Sequence, residues 1–197
     1  FARTPEVEEK AQAYRKKDNT TFCFVGRMVR DKGINELVAA FQELHATDSS
    51  IRLLLVGPFE EQLDPVLPET KEAILNHPAI EWMGWQEDIR PFLAASDVFV
   101  FPSYREGFPN VVIQAGAMGL PCIATDINGC NEIVVEGVSG TLIASQNQQA
   151  LHEAMKRFLD PSLRKTLSQQ ARPQIAHRFE RKVLWKELLK VYRSLEE

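Results

Sequence analysis

Thr21-Phe22-Cys23-Phe24-Val25-Gly26-Arg27-Met28-Val29-Arg30-Asp31-Lys32-Gly33 is the stretch on which the fold turns. A short apolar run with β-branched and aromatic residues stops at a glycine, which reads as a buried strand delivering the chain into a loop. Immediately beyond it, Ile34, Leu37, Val38, Phe41 and Leu44 fall at i, i+3, i+4, i+7 and i+10, one face of a helix. A buried strand followed by an amphipathic helix is the first half of a right-handed crossover to a parallel neighbour.

Outward from this unit the same alternation repeats. Apolar runs recur at Ile51–Val56, Ile80–Met83, Val98–Phe101, Pro121–Thr125 and, more weakly, Thr141–Ile143, with helical periodicity between most of them. From about Gln148 the chain reads as helices over Leu151–Leu159, Pro161–Ala171 and Glu180–Leu195, the last with a stripe of Leu184, Leu188, Val191 and Leu195. The expected fold class is α/β: a doubly wound, Rossmann-like parallel sheet of six strands with C-terminal helices, in the order 3-2-1-4-5-6. Residues 21–197 are expected to form this one domain. The chain opens with Phe1 in a polar stretch to Thr20 that lacks a complete apolar stripe, so residues 1–20 read as an interdomain linker from a longer protein.

With 197 residues, 44% of them hydrophobic and 25% charged, the chain can bury a full core, which excludes disorder over most of its length. No apolar run is long enough to span a bilayer, and no signal peptide opens the sequence, so a soluble, cytoplasmic location is expected. Cys23, Cys122 and Cys130 are odd in number and lack paired spacing, which favours buried free thiols over a disulfide or metal site. The net charge of −4 gives nucleic acid no general attraction. Residues 151–197 nevertheless hold eleven Lys and Arg against six Asp and Glu, a balance of +5 against −9 for the rest. Such a stretch is either a solvated helix face or a patch for acidic surfaces.

In a sheet of this order ligands bind at the carboxyl ends of strands 1 and 4, where the connections diverge. Those ends carry the two most chemically loaded loops, Gly26–Gly33 and Pro102–Asn110. The first holds Arg27, Arg30 and Lys32 between two glycines; an arginine fork and a lysine point charge can clasp a diphosphate from two sides. The other reading is a solvated turn with Gly33 opening the helix. Neither GxGxxG nor GxxxxGK[ST] is present, so the usual dinucleotide and Walker loops are not expected. The second loop places Glu106-Gly107-Phe108-Pro109-Asn110 just ahead of a helix, where unpaired N–H groups and the helix dipole favour an anion. Glu106 suits a site that accepts from sugar hydroxyls beside phosphates; alternatively it is a carboxylate placed to favour the helix dipole.

The blocks Phe24-Val25-Gly26-Arg27 with Lys32-Gly33, Leu54-Leu55-Val56-Gly57, Trp82-Met83-Gly84-Trp85, Ala95-Ser96-Asp97-Val98, Pro102-Ser103 through Pro109, Ala115 to Pro121 and Gly137-Val138-Ser139-Gly140 resemble, in order, the C-terminal donor-binding domain of the large group 1 family of retaining GT-B glycosyltransferases. The resemblance implies that Arg27 and Lys32 neutralise a donor diphosphate and Glu106 holds donor-sugar hydroxyls, the three forming the catalytic set. It further implies a substrate site of Gly26, Met83, Trp85, Gly107, Phe108, Pro109, Asn110 and Gln114. The family's signature carries a second glutamate eight residues after the first, for the ribose diol; Gln114 stands there, an amide that can both donate and accept.

The resemblance also implies a UDP- or GDP-linked sugar as donor and an acceptor domain preceding this one, with no metal and no cofactor. Action in cell-surface polysaccharide or glycolipid synthesis would bring peripheral contact with the inner face of the membrane. The same architecture serves epimerases and phosphorylases, and a degenerate copy would merely bind nucleotide. For Trp82 and Trp85, strand-end core is the first expectation and a stacking platform the second. His45, His77, His152 and His177 show no metal spacing, and Asp126 and Asn128 read as turn or capping residues.

Overall fold

A computed structural model describes residues 1–195. Six parallel strands form one sheet in the order β3-β2-β1-β4-β5-β6: β1 Thr20–Val25, β2 Ile51–Val56, β3 Ile80–Trp82, β4 Val98–Phe101, β5 Cys122–Thr125 and β6 Gly140–Ile143. The order is the expected one, and it follows from burial. Every residue of β2 and β4 is buried, as a parallel sheet covered on both faces requires. The register Thr21↔Arg52 through Val25↔Val56 sets the ends of β1 and β2 level. Strand β1 is shared between β2 on one side and β4 on the other, which opens the crevice between the loops that follow β1 and β4.

The helices are α1 Pro5–Gln12, α2 Ile34–Thr47, α3 Pro68–Asn76, α4 Arg90–Ala94, α5 Asn110–Ala117, α6 Cys130–Ile133, α7 Gln148–Arg157, α8 Pro161–Phe179 and α9 Arg181–Ser194. Helix α2 buries the expected stripe of Ile34, Leu37, Val38, Phe41 and Leu44, with Ala40 beside it. Within the stretch expected as linker, Thr4 caps α1 and Val7 and Ala11 are buried, so this segment lies on the domain. All three cysteines are free and buried, as expected.

Two C-terminal features differ from expectation. Helix α8 continues through Pro173 to Phe179 instead of stopping near Ala171. Proline removes the donor for the carbonyl of Gln169, but both residues are exposed, so water can satisfy that oxygen. Ile175 meanwhile anchors the extension against Gly116 of α5, where a Cβ would come within 2.6 Å of it. Helix α9 forms, yet it buries no residue: Leu184, Leu188, Val191 and Leu195 are all at least half exposed. A sequence stripe fixes the face of a helix without supplying the surface that covers it.

Candidate active site

The site is built where the loop after β1 passes over the end of β4. Gly33 is left-handed (φ 70°, ψ 25°) and begins α2; a Cβ there would sit 2.2 Å from the Pro102 carbonyl oxygen. Only glycine allows that approach. Around this crossing the two loops are tied together. The Tyr104 N–H donates to the Asp31 carbonyl at 2.8 Å, and the Tyr104 hydroxyl donates to Glu36 of α2 at 2.6 Å. Burial, the bond to Glu36 and its charge hold the Tyr104 phenol well above its ordinary range, so it stays protonated.

At the floor of the crossing the Lys32 ammonium donates to Glu106 Oε1 at 2.5 Å, and the Ser103 hydroxyl donates to the same oxygen at 2.8 Å. Both charged side chains are sheltered, with 16% and 14% of their surfaces exposed. Lys32 also lies 5.9 Å from the ring centroid of Phe101. Behind Ser103, the Thr125 hydroxyl donates to its carbonyl at 2.5 Å, so the end of β5 supports the turn that presents Glu106. Gly129 closes the next wall: its φ is 79°, and a Cβ would come within 2.4 Å of the Gly107 carbonyl. Cys130 follows at the start of α6, its thiol pushed up to about 12 by burial and then by the Glu106 charge.

Arg27 is half exposed and pairs with Glu60, so Arg27 and Lys32 face different carboxylates. Arg30 is held by Asp64 at 2.9 Å. Asp64 also accepts the Asp31 N–H at 2.7 Å, from a backbone with φ 101° that a non-glycine residue rarely adopts. Gly26 donates to the Val56 carbonyl at 2.9 Å, and a Cβ on it would meet the Phe24 ring at 2.9 Å.

Helix α5 begins at Asn110, after Pro109, with no side chain capping its first turn. Phe108 is 45% exposed and meets Phe179 of α8 edge-on at 5.6 Å. Gln114 is half-buried in a groove of about 260 Å³ between α5 and the α8–α9 junction, whose lining includes Phe1, Phe179 and Glu180 but neither Lys32 nor Glu106. The structure thus joins Lys32 to Glu106 and leaves Arg27 and Gln114 on separate neighbourhoods.

Met83 packs partly buried at the end of β3. Trp82 donates its indole N–H to the Gly57 carbonyl at 2.8 Å and leans on Phe59, while Trp85, for which burial was the first expectation, is 69% exposed. The tight turn at Gly84, with φ 62°, turns Trp85 out of the core. Sequence reasoning gives no site role to Ser103, Glu60, Asp64 or Tyr104, and reads Cys130 only as a buried free thiol. The loop carrying Ser103 and Tyr104 was visible, but Tyr104 finds its partners, Asp31 and Glu36, far away in the chain, and the turn that brings Ser103 onto Glu106 within the loop has no sequence signal.

A doubly wound α/β domain with a cation–carboxylate pair at its topological switch point defines a class of small-ligand-binding domains. Residues 19–161 match the family described as glycosyl transferases group 1, and the chain belongs to that family. It is 32% identical over 193 residues to the capsular polysaccharide biosynthesis glycosyltransferase CapM of Staphylococcus aureus, covering 96% of this chain and 50% of that protein. It superposes on the C-terminal domain of LpcC, a glycosyl transferase group 1 family protein of Francisella tularensis, with TM-score 0.79 and 19% identity, covering 92% and 96% of the two chains. Anabaena HepE in complex with UDP-glucose gives TM-score 0.83 at 21% identity, covering 98% of this chain and 54% of that one. The fold is that of the C-terminal half of GT-B enzymes, and the chain spans about half the length of the curated relatives it matches.

Proposed function

We propose that this chain is the donor-binding half of a retaining glycosyltransferase that moves a sugar from a UDP- or GDP-linked donor to an acceptor hydroxyl in cell-surface polysaccharide or glycolipid synthesis. The observation that carries this reading is the sheltered contact of Lys32 with Glu106 at the switch point of the sheet. Two of its oxygens do different work. Oε1 of Glu106 takes both Lys32 and Ser103, which leaves Oε2 to accept from a hydroxyl of the donor sugar. The ammonium of Lys32 has three donors and Glu106 uses one, so the others are free to meet a phosphate oxygen.

Negative charge grows on the leaving diphosphate as the glycosidic bond breaks. Lys32, Arg27 across the same loop, and the uncapped start of α5 at Asn110 supply positive potential to that group without reorganising. Gly26, Gly107, Phe108 and Pro109 frame the sugar and phosphates, Met83 and Trp85 the base, and Gln114 the ribose. Retention follows from attack on the donor's own side, with the leaving phosphate oxygen taking the acceptor proton. The acceptor pocket belongs to a preceding domain of the whole protein, which works at the inner face of the membrane. That HepE was crystallised with UDP-glucose supports the donor class.

The test is calorimetric titration of the chain with UDP-, GDP- and ADP-sugars. Binding of a uridine or guanosine donor is expected, without sugar transfer by this half alone. Failure of every nucleotide to bind would remove the donor-site reading.

A further inference from the structure

At the opposite end of the strands, where β1, β4 and β5 begin, a cleft of about 500 Å³ is lined by Arg3, Arg15, Lys16, Lys17, Arg164 and Lys165. These six cations come from three separate segments: the approach to α1, the loop between α1 and β1, and the first turns of α8. They are therefore not the solvated face of one helix. The carboxylate in the lining is Asp97, which already accepts the Thr21 N–H at 2.8 Å. Glu8, outside the lining, pairs with Arg3 at 3.4 Å and Arg15 at 2.5 Å. Even with both acids counted the cleft keeps a large positive excess, on a chain whose net charge is −4.

The three arginines are fixed by backbone carbonyls. Arg3 Nε donates to Met118 at 2.9 Å, Arg15 Nη2 to Ala94 at 3.0 Å, and Arg164 Nη1 to Phe158 at 2.6 Å and Leu159 at 2.9 Å. Their remaining donors are thus held in place, while Lys16, Lys17 and Lys165 have no carboxylate partner among the described residues. Fixed guanidinium forks combined with mobile ammonium groups in one concavity fit an anion carrying several charges better than a single carboxylate. The volume lies within the range of small-ligand sites.

We propose that this cleft is a second anion-binding site, for closely spaced phosphate groups, remote from the Lys32–Glu106 crevice. The phosphates can belong to a free oligophosphate or to the headgroups of an anionic lipid surface, and the test separates the two. The chain is titrated calorimetrically with inorganic tripolyphosphate, and in parallel floated with vesicles of phosphatidylcholine containing phosphatidylglycerol. The variant combining Lys16→Ala, Lys17→Ala and Lys165→Ala is expected to lose at least about tenfold in one of these measurements, as removal of three charge-assisted contacts requires. Loss of tripolyphosphate affinity assigns a free ligand, and loss of vesicle binding alone assigns the lipid headgroup. Lys32→Ala is expected to remove only the tripolyphosphate taken up by the donor crevice, leaving the binding step that the triple variant loses, and to keep vesicle binding. UDP affinity, which reports on the donor crevice, should change less than about twofold in the triple variant, since salt screens charges this far apart. The proposal is overturned if neither probe binds the native chain, if the triple variant binds both as tightly as the native chain, or if Lys32→Ala alone abolishes both tripolyphosphate and vesicle binding.

Discussion

Gly33 and Pro102 come so close that the first cannot carry a side chain: a Cβ on Gly33 would lie 2.2 Å from the Pro102 carbonyl oxygen. This crossing places Lys32, one residue before it, against Glu106, four residues beyond Pro102. The ion pair therefore depends on a backbone contact that involves neither charge.

Gly33→Ala should cost about 2 kcal/mol or more, because left-handed strain and a backbone clash act together. Gly84→Ala provides the comparison: its φ is also left-handed, at 62°, but open space surrounds it. Conformational strain alone applies there, about 1 kcal/mol. Chemical denaturation of both variants measures the difference. Equal losses would show that the chain simply moves aside at Pro102.

Lys32 and Arg27, two of the three cations of the first loop, should differ in weight. Lys32→Ala removes a sheltered charge and leaves Glu106 facing the phosphates, so nucleoside diphosphate affinity should fall by about 1.5–3 kcal/mol, with nucleoside affinity little changed. Arg27 is 52% exposed and already paired with Glu60, so Arg27→Ala should cost about 0–1 kcal/mol and be more sensitive to salt. Calorimetry with UDP and uridine checks both. Equal losses for the two ligands would make the loop structural.

Under the proposed role of Glu106 at the donor sugar, Glu106→Ala in the whole protein should lower kcat with little change in affinity for free UDP or GDP, because an oriented contact at the reacting end would be removed. Under the proposed ribose role of Gln114, Gln114→Ala should act mainly on KM, since ribose carries no developing charge. Gln114→Glu restores the family's carboxylate and should retain activity. An unchanged kcat with lost nucleotide affinity in Glu106→Ala would reverse the assignment of Glu106.

Alkaline pH should destabilise the fold through its thiols. Burial pushes Cys23, Cys122 and Cys130 each up to about 12, against about 8.5 in an unfolded chain. The native state then holds protons that the unfolded state has released. Their contribution is complete below about pH 8.5 and is lost progressively as pH rises towards the folded values. Urea midpoints measured from pH 7 to 10.5 should fall, and Cys23→Ala should make that fall shallower after allowance for its cavity. At pH 8, thiol reagents should modify all three cysteines only at the rate of opening. Rapid labelling of the folded chain would contradict their burial.

The sheet order was readable because the four central strands, β2, β1, β4 and β5, are apolar runs buried on both faces, and because the two charged loops follow the first and fourth strands. Lys32 and Glu106 stood out for the same reason: their loops are short and chemically dense. What could not be read was how the loops meet. The Ser103 hydroxyl on Glu106 was not predicted, and Tyr104 meets Glu36 across 68 positions of chain. Nor does local sequence reveal that Asp64 adopts a left-handed backbone to hold Arg30 and Asp31. Periodicity likewise identified α9 but said nothing of whether its stripe would be covered.

Helix α9 buries none of its side chains, so the domain core contributes little to keeping it wound. A 14-residue helix left mainly to its own propensity is marginal in water. In this chain its amide protons should exchange with solvent as a separate cooperative unit, orders of magnitude sooner than those of β1 and β4. Trypsin should cut first at Arg181, Lys182 or Lys186, leaving a shortened chain that melts at nearly the original temperature. The last helix then behaves as an appendage whose order is set by whatever surface it meets, and the domain's folding ends, thermodynamically, near Phe179.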